Sequence, residues 1–156
     1  MINKISDGFY CITLTMPFKL KYVNVYVLVH DKEIALFDSG INLSGCLAML
    51  EKDLESIGLG VSSVKDIYIT HAHVDHCGMA GVIKEKSGAA IHLSSAAAAS
   101  SSNFLNEDLL ALRMRKFYLT HGFTEQEVGD LIMIFRGMRH IVTEFKGDYC
   151  LKPGET

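Results

Sequence analysis

The stretch that decides the fold runs from Thr70 to Gly78 and reads THAHVDHCG. It follows a predicted short strand at residues 66–69, which read DIYI, and precedes a run with helical spacing, so it is predicted to lie between a strand and a helix. Three histidines and one aspartate fall within it: His71, His73, Asp75 and His76. Without a metal, these side chains would crowd one small region with polar groups that need partners. The cluster therefore predicts a metal site.

The spacing of the cluster suggests how it could hold two cations. In an extended chain, side chains at alternate positions point to the same side, which places His71, His73 and Asp75 on one face of the loop. His76 follows where the chain is predicted to enter a helix spanning about 77–87, so its ring can aim at a neighbouring point. One short segment can thus offer two ligands to each of two cations.

The ligand types predict both the metal and the chemistry. Imidazole nitrogen and carboxylate oxygen favour zinc, iron or manganese over calcium. Two such ions about 3.5–4 Å apart can share a bridging hydroxide, a nucleophile at neutral pH because the metal lowers the pKa of bound water to about 7. The predicted reaction is hydrolytic attack on a carbonyl or phosphoryl centre.

The histidines outside the cluster are interpreted as ordinary surface or core residues: His30, His92, His121 and His140.

The whole sequence follows an α/β pattern. Strands are predicted at 8–15, 22–30, 33–37, 66–69 and 89–93, and helices at 43–57, 77–87, 105–120 and 124–138. Asp31-Lys32 is predicted to be the turn of a hairpin between the second and third strands. Residues 94–103 are equally compatible with helix and loop, because alanine favours helix and serine favours turns. Residues 140–151 are expected to be irregular or a short strand.

Two of the predicted helices carry recognisable end signals. The first helix is expected to be capped by Ser44 or Asn42 and to end at Gly58. Thr124 and Glu127 have the spacing of a capping box at the start of the last helix.

Composition and charge limit the number of domains, the classes of partner and the expected location. A chain of 156 residues, of which 49% are hydrophobic, fits one domain with a sizeable core. The net charge of −3 argues against nucleic-acid and anionic membrane partners. The N-terminus lacks the features of a signal peptide, and no run reaches the roughly 18 apolar residues of a membrane span, so a cytoplasmic location is expected. Four scattered cysteines without a C-x-x-C pair predict reduced thiols, and Cys11 and Cys46 are interpreted as small buried hydrophobic residues.

Two motifs carry a family resemblance. Thr70 to Gly78 resembles the T-H-x-H-x-D-H-x-G signature of the metallo-β-lactamase superfamily, and Asp38-Ser39-Gly40 resembles the D-[ST]-G turn found there after an early hairpin. The resemblance covers about residues 8–95 and is closest to the glyoxalase-II-like hydrolase branch.

The resemblance implies a role for each site residue. His71 and His73 would bind one zinc ion, and Asp75 and His76 a second, with iron or manganese as alternatives. Asp75 would also be the catalytic residue that holds the attacking water or shuttles its proton. Asp38 would orient a metal ligand, and its alternative interpretation is a plain turn aspartate. The implied activity is hydrolysis of a small-molecule thioester, lactone or other small ester through a metal-bound hydroxide.

The resemblance also implies a domain organisation. Residues 1–156 are interpreted as a single partial domain, with an α/β half-fold at 1–103 and a helical insertion at 104–140. The half-fold is half of an αββα sandwich, a mixed sheet with outer helices. The second half, with a third histidine in an H-x-P-G-H-type segment, a bridging aspartate and a last histidine, is missing.

Two expectations follow from that organisation. An amino-terminal fragment with two ligands per metal would bind metal weakly and show little or no hydrolysis alone. Its uncovered apolar face would favour a homo-oligomer.

Two other functions compete with the hydrolase. One is a catalytically idle half domain that acts as an assembly or interaction module, and the other is an iron-dependent, persulfide-dioxygenase-like member of the same superfamily. A helix-turn-helix DNA reader in the helix pair is set aside, because acidic and basic residues are mixed along both helices.

Overall fold

The computed structural model describes residues 1–137 and 139–154, and for residues 102–105 it describes the backbone alone. Three details of the sequence predictions lie outside the described residues. They are position 138 at the end of the last predicted helix, the side chains at 102–103 in the alanine- and serine-rich segment, and residues 155–156.

The described strands form one mixed sheet whose spatial order is the order of the chain. Neighbours from β1 to β4 are antiparallel, and neighbours from β4 to β7 are parallel. The strands are β1 (Ile2–Ser6), β2 (Phe9–Thr15), β3 (Tyr22–His30), β4 (Glu33–Phe37), β5 (Val64–Ile69), β6 (Ala90–Ser94) and β7 (Tyr149–Leu151).

Helices make the crossovers between the parallel strands. They are α1 (Cys46–Glu55), α2 (Val74–Cys77), α3 (Ala80–Ser87), α4 (Ser95–Leu105), α5 (Glu107–Thr120) and α6 (Glu125–Gly137), with 3-10 turns at Val61–Ser63 and Arg139–Ile141. The mixed α/β pattern is confirmed. No described helix has both the length and the apolar character that crossing a bilayer requires.

The hairpin of β3 and β4 is predicted correctly to the residue. Its two turn residues, Asp31 and Lys32, have φ values of 47° and 68°. Two consecutive positive φ values give the turn whose twist matches that of the flanking strands. The polar pair is therefore placed where the chain must reverse.

One face of the sheet forms the core. Along β3, Val23, Val25 and Val27 are buried, while Tyr22 and Tyr26 on alternate positions are exposed. Parallel crossovers that run in one direction across a sheet place their helices on one face, because the crossovers are right-handed. The helices pack on the valine face with these buried side chains, among others: Leu50, Leu54, Ala80 and Ile83.

The opposite face carries a continuous row of rings, one from each of five neighbouring strands. The strand register aligns Tyr26, Phe37, Tyr68, His92 and Tyr149. Consecutive ring centroids from Phe37 to Tyr149 lie 5.3, 4.5 and 4.8 Å apart. We call these five side chains the aromatic row. Tyr26 and Tyr149 at its ends are 39% and 59% exposed.

The structure corrects several sequence predictions. Strand β1 was not predicted, because its residues are mostly polar and only Ile2 is half-buried. Helix α1 starts at Cys46, later than predicted, behind Gly45 with φ 91° and without a side-chain cap. The prediction that Ser44 or Asn42 caps this helix is wrong, and the Asn42 side chain instead donates to the carbonyl of His140.

Two further helical segments differ from the prediction. The helix expected at 77–87 is two helices, since α2 ends at Cys77 and α3 begins at Ala80. The ambiguous segment 94–103 lies mainly in helix α4.

Other local predictions hold. The capping box is confirmed, because the Glu127 carboxylate accepts from the Thr124 amide and hydroxyl at 2.8 Å each. All four cysteines are free thiols. Cys46 is buried as predicted, whereas Cys11 is only half-buried.

Candidate metal centre

The site lies where two parallel strands end. Strand β4 ends at Phe37 and β5 at Ile69, and because these strands are parallel neighbours, the residues after them meet at one edge of the sheet. Asp38 and Thr70 are therefore adjacent although 32 positions separate them. The amide of Asp38 donates to the carbonyl of Tyr68 at 2.8 Å, which continues the pairing past the strand end.

Backbone contacts hold the turn after β4 against the loop after β5. The amide and the hydroxyl of Ser39 both donate to the carbonyl of His76, at 2.7 and 3.0 Å. The amide of Met79 donates to the carbonyl of Gly40 at 3.1 Å. Gly40 has φ 79°, and a Cβ there would lie 2.5 Å from a methyl group of Leu14. The D-S-G turn thus packs closely in the core and holds the histidine loop through these hydrogen bonds.

The structure places the four predicted ligands close to one another in pairs. Nε2 of His71 lies 3.0 Å from Nδ1 of His73, and the ring centroids of His71 and His76 are 4.1 Å apart. A carboxylate oxygen of Asp75 lies 3.6 Å from Nε2 of His76. The four side chains therefore form a chain of neighbours.

The backbone conformation that places Asp75 in the site differs from the predicted one. The extended backbone stops at His73, with φ −72° and ψ 143°, and the helical turn α2 begins at Val74. The alternation that was expected to align Asp75 with His71 and His73 therefore ends before Asp75. The predicted alignment of Asp75 with His71 and His73 is therefore wrong. Asp75 lies beside His76 because the helical turn places it there.

Asp38 lies under this group. Its side chain is buried, and its φ of 64° is in the left-handed region that aspartate tolerates better than most residues. One carboxylate oxygen accepts from Nδ1 of His76 at 2.7 Å, and the other accepts from the amide of Thr70 at 2.9 Å. Donor atoms of Asp38, His71 and His76 all lie within 4.8 Å of one another. Asp38 is thus placed to orient His76, and it is also close enough to be a ligand itself.

Electrostatics favour a neutral, metal-competent imidazole. Burial, followed by the neighbouring rings of His76 and His73, lowers the pKa of His71. A neutral ring keeps a lone pair for a cation. Burial raises the pKa of the adjacent Cys77 thiol to about 12, so this thiol stays protonated at neutral pH and does not act as a nucleophile.

Sequence reasoning missed two parts of the site. Thr70, quoted only as part of the motif, bonds both Asp38 and His71 through its hydroxyl. The segment after α6 also reaches the loop, because the carbonyl of Ile141 accepts from the amide of Asn42 at 2.9 Å and Thr143 donates to the carbonyl of Gly78. The position of Thr70 beside the histidines was a usable signal, whereas nothing in the sequence of 140–143 indicates this docking.

Comparison with known proteins finds one matching family. The family model described as "Metallo-beta-lactamase superfamily" matches residues 19–145. A probable metallo-hydrolase of Bacillus subtilis, YqjP, is 29% identical over 81 residues, which cover 52% of this chain and 25% of YqjP.

Solved structures agree with this match. The metallo-beta-lactamase family protein TTHA1429 from Thermus thermophilus superposes with a TM-score of 0.78 and 28% identity, covering 97% of this chain and 48% of its own. A beta-lactamase domain protein from Burkholderia ambifaria has the same fold, with a TM-score of 0.70, 16% identity, and 99% and 44% coverage. The chain thus covers about half the length of these structures, and its 81 matched residues cover a quarter of YqjP.

Proposed function

The chain belongs to the metallo-beta-lactamase superfamily, and from that premise we propose that its site serves the metal-dependent hydrolysis of a thioester, lactone or other small ester. The observation that carries the proposal is the gathering of His71, His73, Asp75 and His76 above the buried Asp38. A surface loop with no ligand to bind has no need of three imidazoles and two carboxylates at one sheet edge.

The donor set fits a borderline divalent metal. Nδ1 of His76 faces Asp38, which leaves Nε2 available for a cation. Imidazole nitrogens beside carboxylate oxygens, without a thiolate, suit zinc, with iron and manganese as alternatives. We propose that His71 and His73 hold one ion, and that Asp75 and His76 hold a second.

The residues of this chain then have distinct tasks. A metal ion held by these residues would supply Lewis acidity toward the substrate carbonyl and would lower the pKa of water in the site toward neutrality. Asp75 positions the attacking water through its carboxylate and takes up its proton there. Asp38 keeps the proton of His76 on Nδ1 and fixes the orientation of that ring.

Hydrolysis of simple thioesters and lactones by the zinc-loaded chain tests this proposal. Turnover is expected to be slow, because the described part of the chain gathers few ligands for each of two ions. It should exceed the background and be abolished in His71→Ala. The matched control is His121→Ala, which removes an exposed histidine at the end of α5 and should leave the rate unchanged.

The same assay separates the enzyme from the idle module. Equal rates for the wild type and His71→Ala, both at the level of buffer, would contradict the hydrolase proposal for this chain. They would favour a domain whose metal residues are retained without turnover.

A further inference from the structure

The hydroxyl of Thr70 lies between the buried carboxylate and the first histidine of the site. Its oxygen is 2.9 Å from both carboxylate oxygens of Asp38 and 2.9 Å from Nδ1 of His71. Thr70 is the first residue after β5, and its amide also donates to Asp38 at 2.9 Å. Two bonds to one carboxylate hold the Thr70 side chain in place.

Counting donors and acceptors fixes the direction of these hydrogen bonds. A carboxylate accepts and does not donate, and a hydroxyl has one hydrogen to give. That hydrogen goes to Asp38, so the Thr70 oxygen can only accept from His71. The acceptance requires a hydrogen on Nδ1 of His71, which leaves a lone pair on its Nε2. The 3.0 Å contact between Nε2 of His71 and Nδ1 of His73 agrees, with His73 as the donor.

His76 has the same arrangement by a direct contact. Its Nδ1 donates to Asp38 at 2.7 Å, so its Nε2 is also left with a lone pair. One carboxylate thus sets the tautomers of two histidines, His76 directly and His71 through a hydroxyl. Both rings then present the same nitrogen toward the place where a cation would bind.

We infer that Thr70 is a positioning residue that transmits the orientation set by Asp38 to His71 and holds His71 as the Nδ1–H tautomer for metal binding. The inference rests on the proposed function for its purpose. The tautomer itself is a property of the metal-free protein and can be measured without any bound ion.

Long-range 1H–15N correlation spectra of the metal-free chain at pH 8 test the inference, because neutral rings then report which nitrogen carries hydrogen. His71 is expected to be the Nδ1–H tautomer in the wild type and in Thr70→Ser, which keeps the hydroxyl. In Thr70→Val, which keeps the shape without the hydroxyl, His71 should become a mixture of tautomers while His76 stays unchanged. In Asp38→Asn, both rings should change.

The chain offers a matched control in its second Thr-His pair. Thr120 precedes His121 at the end of α5, and its hydroxyl bonds backbone carbonyls of the helix. Thr120→Val should leave the signals of His71 and His76 unchanged. An Nε2–H tautomer of His71 in the wild type would overturn the inference, as would a Thr70→Val spectrum identical to that of the wild type. The tautomer of His71 in the wild type tests the inference even if a variant fails to fold.

Zinc titration of the same proteins measures the effect of Thr70 on metal affinity. Thr70→Val should weaken zinc binding by about 10-fold or more, and Thr70→Ser should restore it. Unchanged affinity in Thr70→Val would overturn the positioning role. If the tautomers behave as expected but the wild type binds no zinc, the proposed function fails on its own and the hydrogen-bond relay remains.

Discussion

At the scale of single residues, Asp38 joins the turn after β4 to the loop after β5, because its buried carboxylate accepts from Thr70 and His76. The D-S-G motif indicates its position after a strand, and the resemblance implies that it orients a ligand. The sequence does not reveal its left-handed backbone, its burial, or the Thr70 hydroxyl that shares its carboxylate. These depend on the approach of two loops that lie 32 positions apart, which a local pattern cannot encode.

Asp148 gives a prediction on stability at the residue scale. It accepts from Lys84 at 2.6 Å and from the amide of Ile91 at 2.8 Å, and so joins the approach to β7 to helix α3 and strand β6. The Lys84 hydrogen bond, followed by that of Ile91, lowers the pKa of Asp148. Its stabilisation is therefore present above the unfolded-state pKa of about 3.8 and is lost as the pH falls through the folded-state value.

Asp148→Asn should lower the free energy of unfolding by about 1 kcal/mol at pH 7, since the ion pair is partly exposed and screened. The difference from the wild type should be smaller at pH 3 than at pH 7. Urea unfolding at both pH values measures it, with Glu85→Gln on the exposed face of α3 as the control. A difference that grows on acidification would contradict this assignment.

At the scale of secondary-structure elements, the predicted bounds are correct where they depend only on the local sequence. Strands β3 and β4 match their predicted bounds because alternating valines and a two-residue polar turn determine them locally. Strand β1 was missed because its pairing with β2 places it at the sheet edge without a buried apolar pattern. The division between α2 and α3 was missed because it depends on the segment after α6, which packs against Gly78.

Gly78 gives the prediction at this scale. A Cβ there would overlap the carbonyl oxygen of Val74 and lie 2.7 Å from that of Ile141 and 2.8 Å from the amide nitrogen of Asn42. All three are backbone atoms that cannot move independently. Gly78→Ala should therefore destabilise the protein by about 1–3 kcal/mol, the usual range for overpacking, and lower its Tm.

The control for this variant is Gly129→Ala. Gly129 lies inside α6 with open space around the added methyl group, so alanine should be neutral or slightly stabilising there. Equal melting temperatures for Gly78→Ala and the wild type in calorimetry would show that the loop and the segment after α6 do not meet as described.

At the scale of the whole molecule, the sheet has one face packed by helices and one that carries the aromatic row. Tyr26, Leu28 and Tyr149 on that face are 39%, 43% and 59% exposed. Grouped exposed apolar side chains favour association, because contact removes their surface from water. The uncovered face was expected from the resemblance, whereas the alignment of rings on five strands required the register.

The 156-residue chain should therefore self-associate through this face. Sedimentation velocity is expected to show a dimer that forms as the protein concentration rises and that Tyr26→Glu weakens. Leu112→Glu changes a residue that is 65% exposed on α5 and should leave the association unchanged. A monomer at all concentrations, or equal weakening by both variants, would contradict the assignment of this face.

Crystals of the zinc-loaded chain, measured at the zinc absorption edge, would show whether the loop after β5 binds metal. We expect an anomalous peak about 2.0–2.1 Å from imidazole nitrogens of this loop, with His71 among its ligands. A loop without a peak while zinc occupies another histidine, such as His92 beside Asp66, would contradict it.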